Sequence, residues 1–357
     1  MKKLIFAAVT VGLATGLALG AVEFYLRYQM LGSASAVWAE LVSGAAPYSN
    51  LGSEGRVIYD PELSYRLNPA QPQVNSIGIR NAEIEREKTP GRLRIIVIGD
   101  SMAWPENGFV HLLSEKLGAR AEVINAAIPG YTVYQERILL ERYLIDYKPD
   151  LIIQQYCLND NLRFLHRFTQ KGGMIWTQEA QRALFPEHGD PLAWLPSGSY
   201  LAVRLRLTYT RWTKPRGEFP WEDAFDFVKG WQDDGWAFFR EQFGLIRQSA
   251  DSVGARLTVV MFPFAPQFRS DLLAKDEDYV LKPQRLMNEI CDEAGVPLLD
   301  MYPVLKDAGG AELLPDRIHL SDEGHRITAD ALYEHLVANG LIPAVPIATG
   351  ARAGQGP

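Results

Sequence analysis

The chain has 357 residues, 47% of them apolar and 22% charged, which is enough to bury a sizeable core. Its net charge of −7 at pH 7 excludes a basic nucleic-acid-binding surface as its organising feature. Two cysteines, Cys157 and Cys291, exclude a disulfide framework, and no Cys/His spacing suggests a structural metal, so neither metal nor cofactor is expected.

Lys2 and Lys3 precede an apolar stretch from Leu4 to Tyr25, broken only by Thr10, Thr15 and Glu23. Its length suits one membrane-spanning helix. The leading lysines favour a cytoplasmic start, which predicts a single pass through the inner (cytoplasmic) membrane with the rest on the periplasmic or extracellular side. A cleaved signal peptide is the competing reading, with Ala18-Leu19-Gly20 as the small-x-small site. Gly12, Gly16 and Gly20 recur at four-residue spacing, as either a helix–helix contact face or simply small residues in an apolar helix. Residues 1–30 are therefore the anchor or signal segment.

Residues 31–92 read as a stalk and N-terminal extension. Pro47, Pro61, Pro69 and Pro72 exclude a long helix, and the pattern of Val74–Asn81 predicts a short strand. From Leu93 the pattern changes. "LRIIVIGDS" is a continuous apolar run ending in Gly, the mark of a strand buried on both faces. Four more strands are predicted at Ala121–Ala127, Asp150–Tyr156, Ala255–Phe262 and Val296–Asp300. Helices are predicted between and after them, at Gly108–Leu117, Thr132–Tyr147, Phe239–Val253, Pro283–Ala294 and Ser321–Ala338. The second opens on a Thr132-x-x-Gln135 capping box. This alternation predicts an α/β fold around a parallel sheet, with ligands beyond the carboxyl ends of the strands.

The expected catalytic domain spans 93–340, with a Trp-rich insertion at 161–230 holding Trp176, Trp194, Trp212 and Trp221. Arg204–Arg216 carries five positive charges and no negative one. A substrate-binding lid and a helical cap over the core both fit such an insertion. Residues 341–357 read as a disordered tail.

Gly99-Asp100-Ser101 falls where the first core strand ends, which puts a hydroxyl at the mouth of the sheet. A serine needs a base, and the base an acid to fix its tautomer; Asp316 and His319, three residues apart ahead of the last helix, supply both. Asn159, after the third strand, carries an amide that could face an oxyanion, and Gly130, after the second, can present a bare N–H. Each is ordinary alone, as a helix cap, a turn Gly or a turn Asn. Their placement past strands one, two, three and five draws them to one rim of one sheet.

In these blocks the chain resembles the SGNH (GDSL-like) hydrolase family: "IVIGDSMAW", "NAAIPGY", "CLND" and "PDRIHLSDEGH" follow in the family's order. The resemblance implies a three-layer α/β/α sandwich of the flavodoxin-like kind with a five-stranded parallel sheet. It implies Ser101 as nucleophile, Asp316 and His319 completing the triad, and Ser101, Gly130 and Asn159 as the oxyanion hole. Cys157 stands where the third block usually begins with Gly, and "MAWPEN" after Ser101 lacks the customary Gly. Trp104 and Pro105 there would wall the acyl pocket and favour small acyl groups. The remaining histidines, His111, His166, His188, His325 and His335, read as surface or helix residues, with His325 facing outward, and Cys157 as packing. The expected activity is a serine esterase acting on O-acyl groups, acetyl among them, of an envelope glycan or lipid. The alternatives are an O-acyltransferase working beside a membrane acyl-donor protein, and a non-catalytic glycan-binding protein.

Overall fold

The structure is a computed structural model. It describes residues 2–31, 33–43, 56–168, 174–176, 192, 195, 199–213, 217–222, 224 and 226–343. Two helices open the chain, α1 (Lys2–Leu31) and α2 (Ala34–Ser43). An antiparallel hairpin follows, β1 (Val57–Asp60) with β2 (Ser64–Leu67). The central sheet is built from β3 (Leu93–Ile98), β4 (Ala121–Asn125), β5 (Leu151–Tyr156), β8 (Arg256–Met261) and β9 (Leu298–Asp300). A second short hairpin, β6 (His166–Phe168) with β7 (Met174–Trp176), precedes the last two.

The sheet order is β4-β3-β5-β8-β9, and every pairing is parallel. The strands are apolar because helices cover both faces. α3 (Phe109–Leu117), α9 (Met301–Ala308) and α10 (Asp322–Ala338) form one layer; α4 (Val133–Leu139), α6 (Asp233–Ser252) and α8 (Lys282–Ala294) form the other. α5 (Tyr200–Thr213) lies in the insertion, and α7 (Ser270–Val280) leads into α8. The expected α/β/α sandwich with five parallel strands is what the chain adopts, and the chain order reverses at β3, where β4 and β5 flank it.

Three local expectations differ. The 31–92 extension is, from Arg56 on, packed into the main core: Leu63, Tyr65 and Ile79 are fully buried members of it. Val74–Asn81 forms a turn closed by a single Val74–Arg80 bridge instead of a strand, because Gly78 takes φ 90°. The Thr132–Gln135 box does not form. Both side chains are buried and serve other elements, Thr132 Oγ1 donating to Arg163 O (2.9 Å) and Gln135 Nε2 to Leu63 O (2.7 Å). The same helix is α-helical only to Leu139 and continues as a π turn over Leu140–Leu144. At the foot of the sheet the buried Arg94 guanidinium donates to Glu122, Tyr147 O and Glu85 O, pinning the extension to β3.

Candidate active site

β3 ends at Ile98, and the chain turns at once through Gly99 and Asp100 to Ser101. Glycine is required at 99 by a close approach: a Cβ there would sit 2.4 Å from Gln155 Oε1. That amide oxygen accepts from Asp100 N at 2.9 Å. Asp100 is buried; its Oδ1 accepts from Met102 N (2.9 Å) and its Oδ2 from Asn159 Nδ2 (2.9 Å). Burial pushes the Asp100 carboxyl above its ordinary range, against those hydrogen bonds and the nearby His319.

The Asp–His pair comes from the loop ahead of α10. Arg317 is left-handed at φ 85°, and its carbonyl accepts from Ala265 N (2.8 Å), which ties the loop to the end of β8. Asp316 divides its oxygens. Oδ1 accepts from the backbone N–H of Ile318 (3.2 Å) and His319 (2.8 Å), and Oδ2 lies 2.6 Å from His319 Nδ1. His319 Nε2 lies 2.8 Å from Ser101 Oγ across 218 residues of sequence. Burial raises the Asp316 carboxyl, but the bonds from the His319 ring and the two N–H groups outweigh it and hold the group below the ordinary carboxylate range. An ionised Asp316 keeps Nδ1 protonated and leaves Nε2 free to accept from the serine, the tautomer a general base needs.

The loop after β4 carries Gly130 at φ 76°. It is tied to the serine turn by Ile128 N donating to Gly99 O at 3.1 Å. Neither Gly130 N nor Ser101 N has a protein acceptor among the described residues. Asn159, in the 3-10 turn after β5, donates through Nδ2 to Asp100 Oδ2 and to Tyr131 O (3.1 Å). Both amide hydrogens are thus engaged, and the Tyr131 bond is the longer. The structure therefore links all the sequence blocks at one rim of the sheet through direct hydrogen bonds.

Several residues of this rim escaped the sequence reading. Gln155 looked like part of an apolar strand, yet it caps Asp100. Tyr65 of the hairpin donates to Pro129 O (2.7 Å) and accepts, through its own carbonyl, from the Tyr131 hydroxyl (2.6 Å), so the N-terminal extension braces the Gly130 loop. Behind the rim, Glu136 and Asp160 are fully buried; burial first, and then neighbouring carboxylates, raise both well above the ordinary range. His325 faces inward, not outward: Nδ1 accepts from Phe109 N at 3.2 Å, joining α10 to the start of α3. Burial pushes the Cys157 thiol well up, as do Asp100 and Asp160, so it is no competing nucleophile. Of the insertion tryptophans, Trp221 stacks on Trp231 at 4.2 Å inside the core, Trp212 is exposed, Trp176 lies in β7, and Trp194 falls outside the described residues. His188 and the 341–357 tail, apart from its first three residues, also fall outside them.

Residues 97–327 match the GDSL-like Lipase/Acylhydrolase family. Among solved structures the chain is similar to the acetyl xylan esterase AlAXEase, at 15% identity and TM-score 0.41 over 69% of this chain and 100% of that one. It is similar to an acetylxylan esterase from Geobacillus stearothermophilus, at 16% and 0.43 over 70% and 97%. It is also similar to the psychrotrophic esterase EstA from Pseudoalteromonas sp., at 15% and 0.40 over 70% and 98%. No curated protein sequence matches the chain.

Proposed function

The chain belongs to the GDSL-like lipase/acylhydrolase family, and from that premise we propose that it is a membrane-anchored serine esterase acting on O-acyl groups of an envelope glycan or lipid. The observation that carries this reading is the unbroken chain Ser101 Oγ–His319 Nε2–His319 Nδ1–Asp316 Oδ2, with separations of 2.8 and 2.6 Å. In the proposed reaction His319 takes the Ser101 proton as Oγ attacks the ester carbonyl. The N–H groups of Ser101 and Gly130 receive the oxyanion, and the Asn159 amide joins them by exchanging its longer bond to Tyr131 O. His319 then protonates the leaving alcohol, and water, activated by the same histidine, releases the acid from the acyl-serine.

Acetyl is the acyl group favoured. Trp104, three residues past the nucleophile, is clamped by the Arg80 guanidinium, which stacks 3.7 Å over its ring and donates to its carbonyl. A wall held in this way disfavours long chains. The envelope location rests on α1, the one described helix long and apolar enough to cross a membrane.

The test is acid release from an O-acetylated polysaccharide by the full chain, with and without a free sugar acceptor, beside Ser101→Ala. Free acetate dependent on Ser101 is expected. Acetyl groups recovered on the acceptor would replace hydrolysis with acyl transfer, and binding without turnover in either protein would leave a glycan-binding role.

A further inference from the structure

Glu23, the one acid in the apolar run, has a partner outside its helix. Its carboxylate accepts from Ser199 Oγ (2.8 Å), Tyr200 N (3.0 Å) and Leu201 N (2.9 Å), the first donors of α5. Arg27, one turn on, donates to the same carboxylate and lies over the Tyr200 ring. The start of the insertion helix is therefore capped by a side chain of α1. Leu4–Val22 supplies about 28 Å of helix at 1.5 Å per residue, close to one hydrocarbon thickness. Glu23 thus stands toward the far end of the apolar span Ile5–Gln29, ahead of the exposed aromatic rings of Tyr25 and Tyr28, and α5 begins at that level.

α2 follows α1 directly and packs on it. Val37 of α2 and Tyr200, Ala202 and Val203 of α5 are buried, yet none belongs to the sheet-centred core. The outer face of α2 is apolar, and that of α5 is amphipathic, with Leu205 and Trp212 exposed beside the polar Arg204 and Thr208. α2 exposes Trp38 (67%), Leu41 and Val42 at i, i+3, i+4; α5 exposes Leu205 and Trp212 (86%) at i, i+7. Exposed Arg204 lies beside this stripe, and the stretch to Arg216 contains five cationic residues and no acid. An apolar stripe with tryptophan and flanking cations is the composition of a helix lying in a membrane interface.

We propose that α2 and α5 form a collar in the headgroup layer of the membrane that α1 crosses, with Trp38, Leu41, Val42, Leu205 and Trp212 reaching the acyl boundary and the exposed Arg204 on anionic headgroups. The inference rests on α1 being membrane-spanning. It assigns the basic insertion helix to lipid instead of to substrate. The collar fixes the height of the hydrolase domain above the bilayer and directs it to esters held near that surface.

The test is spin-label accessibility in the full chain reconstituted into nanodiscs containing anionic lipid. Labels go on single cysteines replacing Trp38, Leu205 or Trp212, with Leu13→Cys as the bilayer reference and Arg247→Cys on α6 as the aqueous one. The unsubstituted chain, whose own two thiols are buried, gives the background. Collision with oxygen over a water-soluble nickel chelate should be higher at 38, 205 and 212 than at 247, and lower than at 13. Replacing the anionic lipid by zwitterionic lipid should reduce the ratio at 205 and 212, and Glu23→Ala should reduce it at both while leaving 13 unchanged. Aqueous values at 38, 205 and 212 with a bilayer value at 13 would overturn the collar and leave the anchor standing. Aqueous values at 13 as well would overturn the anchor, and the collar with it. Shielding from both reagents at 205 and 212 would mean a protein cover and also overturn it.

Discussion

At the residue scale, the rim of the sheet is organised by buried amides and carboxyls as much as by the triad. Asn159→Ala should lower kcat about 10²–10³-fold with little change in KM if its amide serves the oxyanion; a loss below about tenfold would assign the amide to bracing Asp100 alone. Gly99→Ala should cost about 1–3 kcal/mol in denaturant unfolding, since its Cβ displaces Gln155 Oε1 from Asp100 N and nothing can shift without unpairing that donor. An unchanged midpoint would show that Gln155 is not held there. That Ser101, Gly130 and Asn159 meet at one rim was legible because each follows a strand end, and Asp316 and His319 were legible by their residue types and spacing ahead of the last helix. Gln155 was not legible: inside "DLIIQQY" nothing marks which glutamine turns back over the preceding strand's turn. Asn159's present partners were equally hidden, since they lie 59 and 28 residues away.

At the element scale, α3 and α10 are joined by His325. Its Nδ1 accepts from the first N–H of α3, so the ring must be neutral, and burial pushes its pKa below 6.5. The unfolded chain takes up a proton near pH 6.5 that the folded one refuses. Stability from this site is therefore complete above that pH and is lost as pH falls through and below it. Denaturant unfolding at pH 8 and pH 5 should show a larger acid loss for wild type than for His325→Asn. Asp300 and Asp226, pushed up to about 6 by burial, gain protons on folding in the same range, but act equally in both proteins and cancel in the difference. Equal losses in the two proteins would contradict this role. Strand and helix positions were legible from apolar runs, which need only local sequence. The direction His325 faces was not, because its partner lies 216 residues away and helix spacing alone cannot say what covers a polar residue. The failed Thr132 cap has the same cause: the distant carbonyls of Arg163 and Leu63 take up the two side chains that the local motif would pair.

At the scale of the whole molecule, the hydrolase domain and the N-terminal helices meet through Glu23, and the hairpin of residues 57–67 braces the Gly130 loop. The extension ahead of these sequence blocks is thus part of the structure that holds the Gly130 loop in place. Sequence could not show this, since Pro-rich segments are read as linkers unless their few apolar side chains are known to be covered. If α1 is retained as an anchor, the mature protein should stay in the membrane after alkaline carbonate, and its peptide map should still contain the residues of α1. A product lacking the residues up to about Gly20 would make the segment a cleaved signal and remove the span on which the collar depends.

In the proposed reaction everything depends on Ser101 acting as a nucleophile driven by His319. The decisive experiment is p-nitrophenyl acetate turnover by the full chain beside Ser101→Ala and His319→Ala, each shown to be folded by its unfolding transition. Wild type should turn over, both variants should lose several orders of magnitude, and an acetyl adduct should be found on Ser101 in the quenched wild-type protein. Turnover that survives Ser101→Ala, or an adduct on another residue, would contradict it.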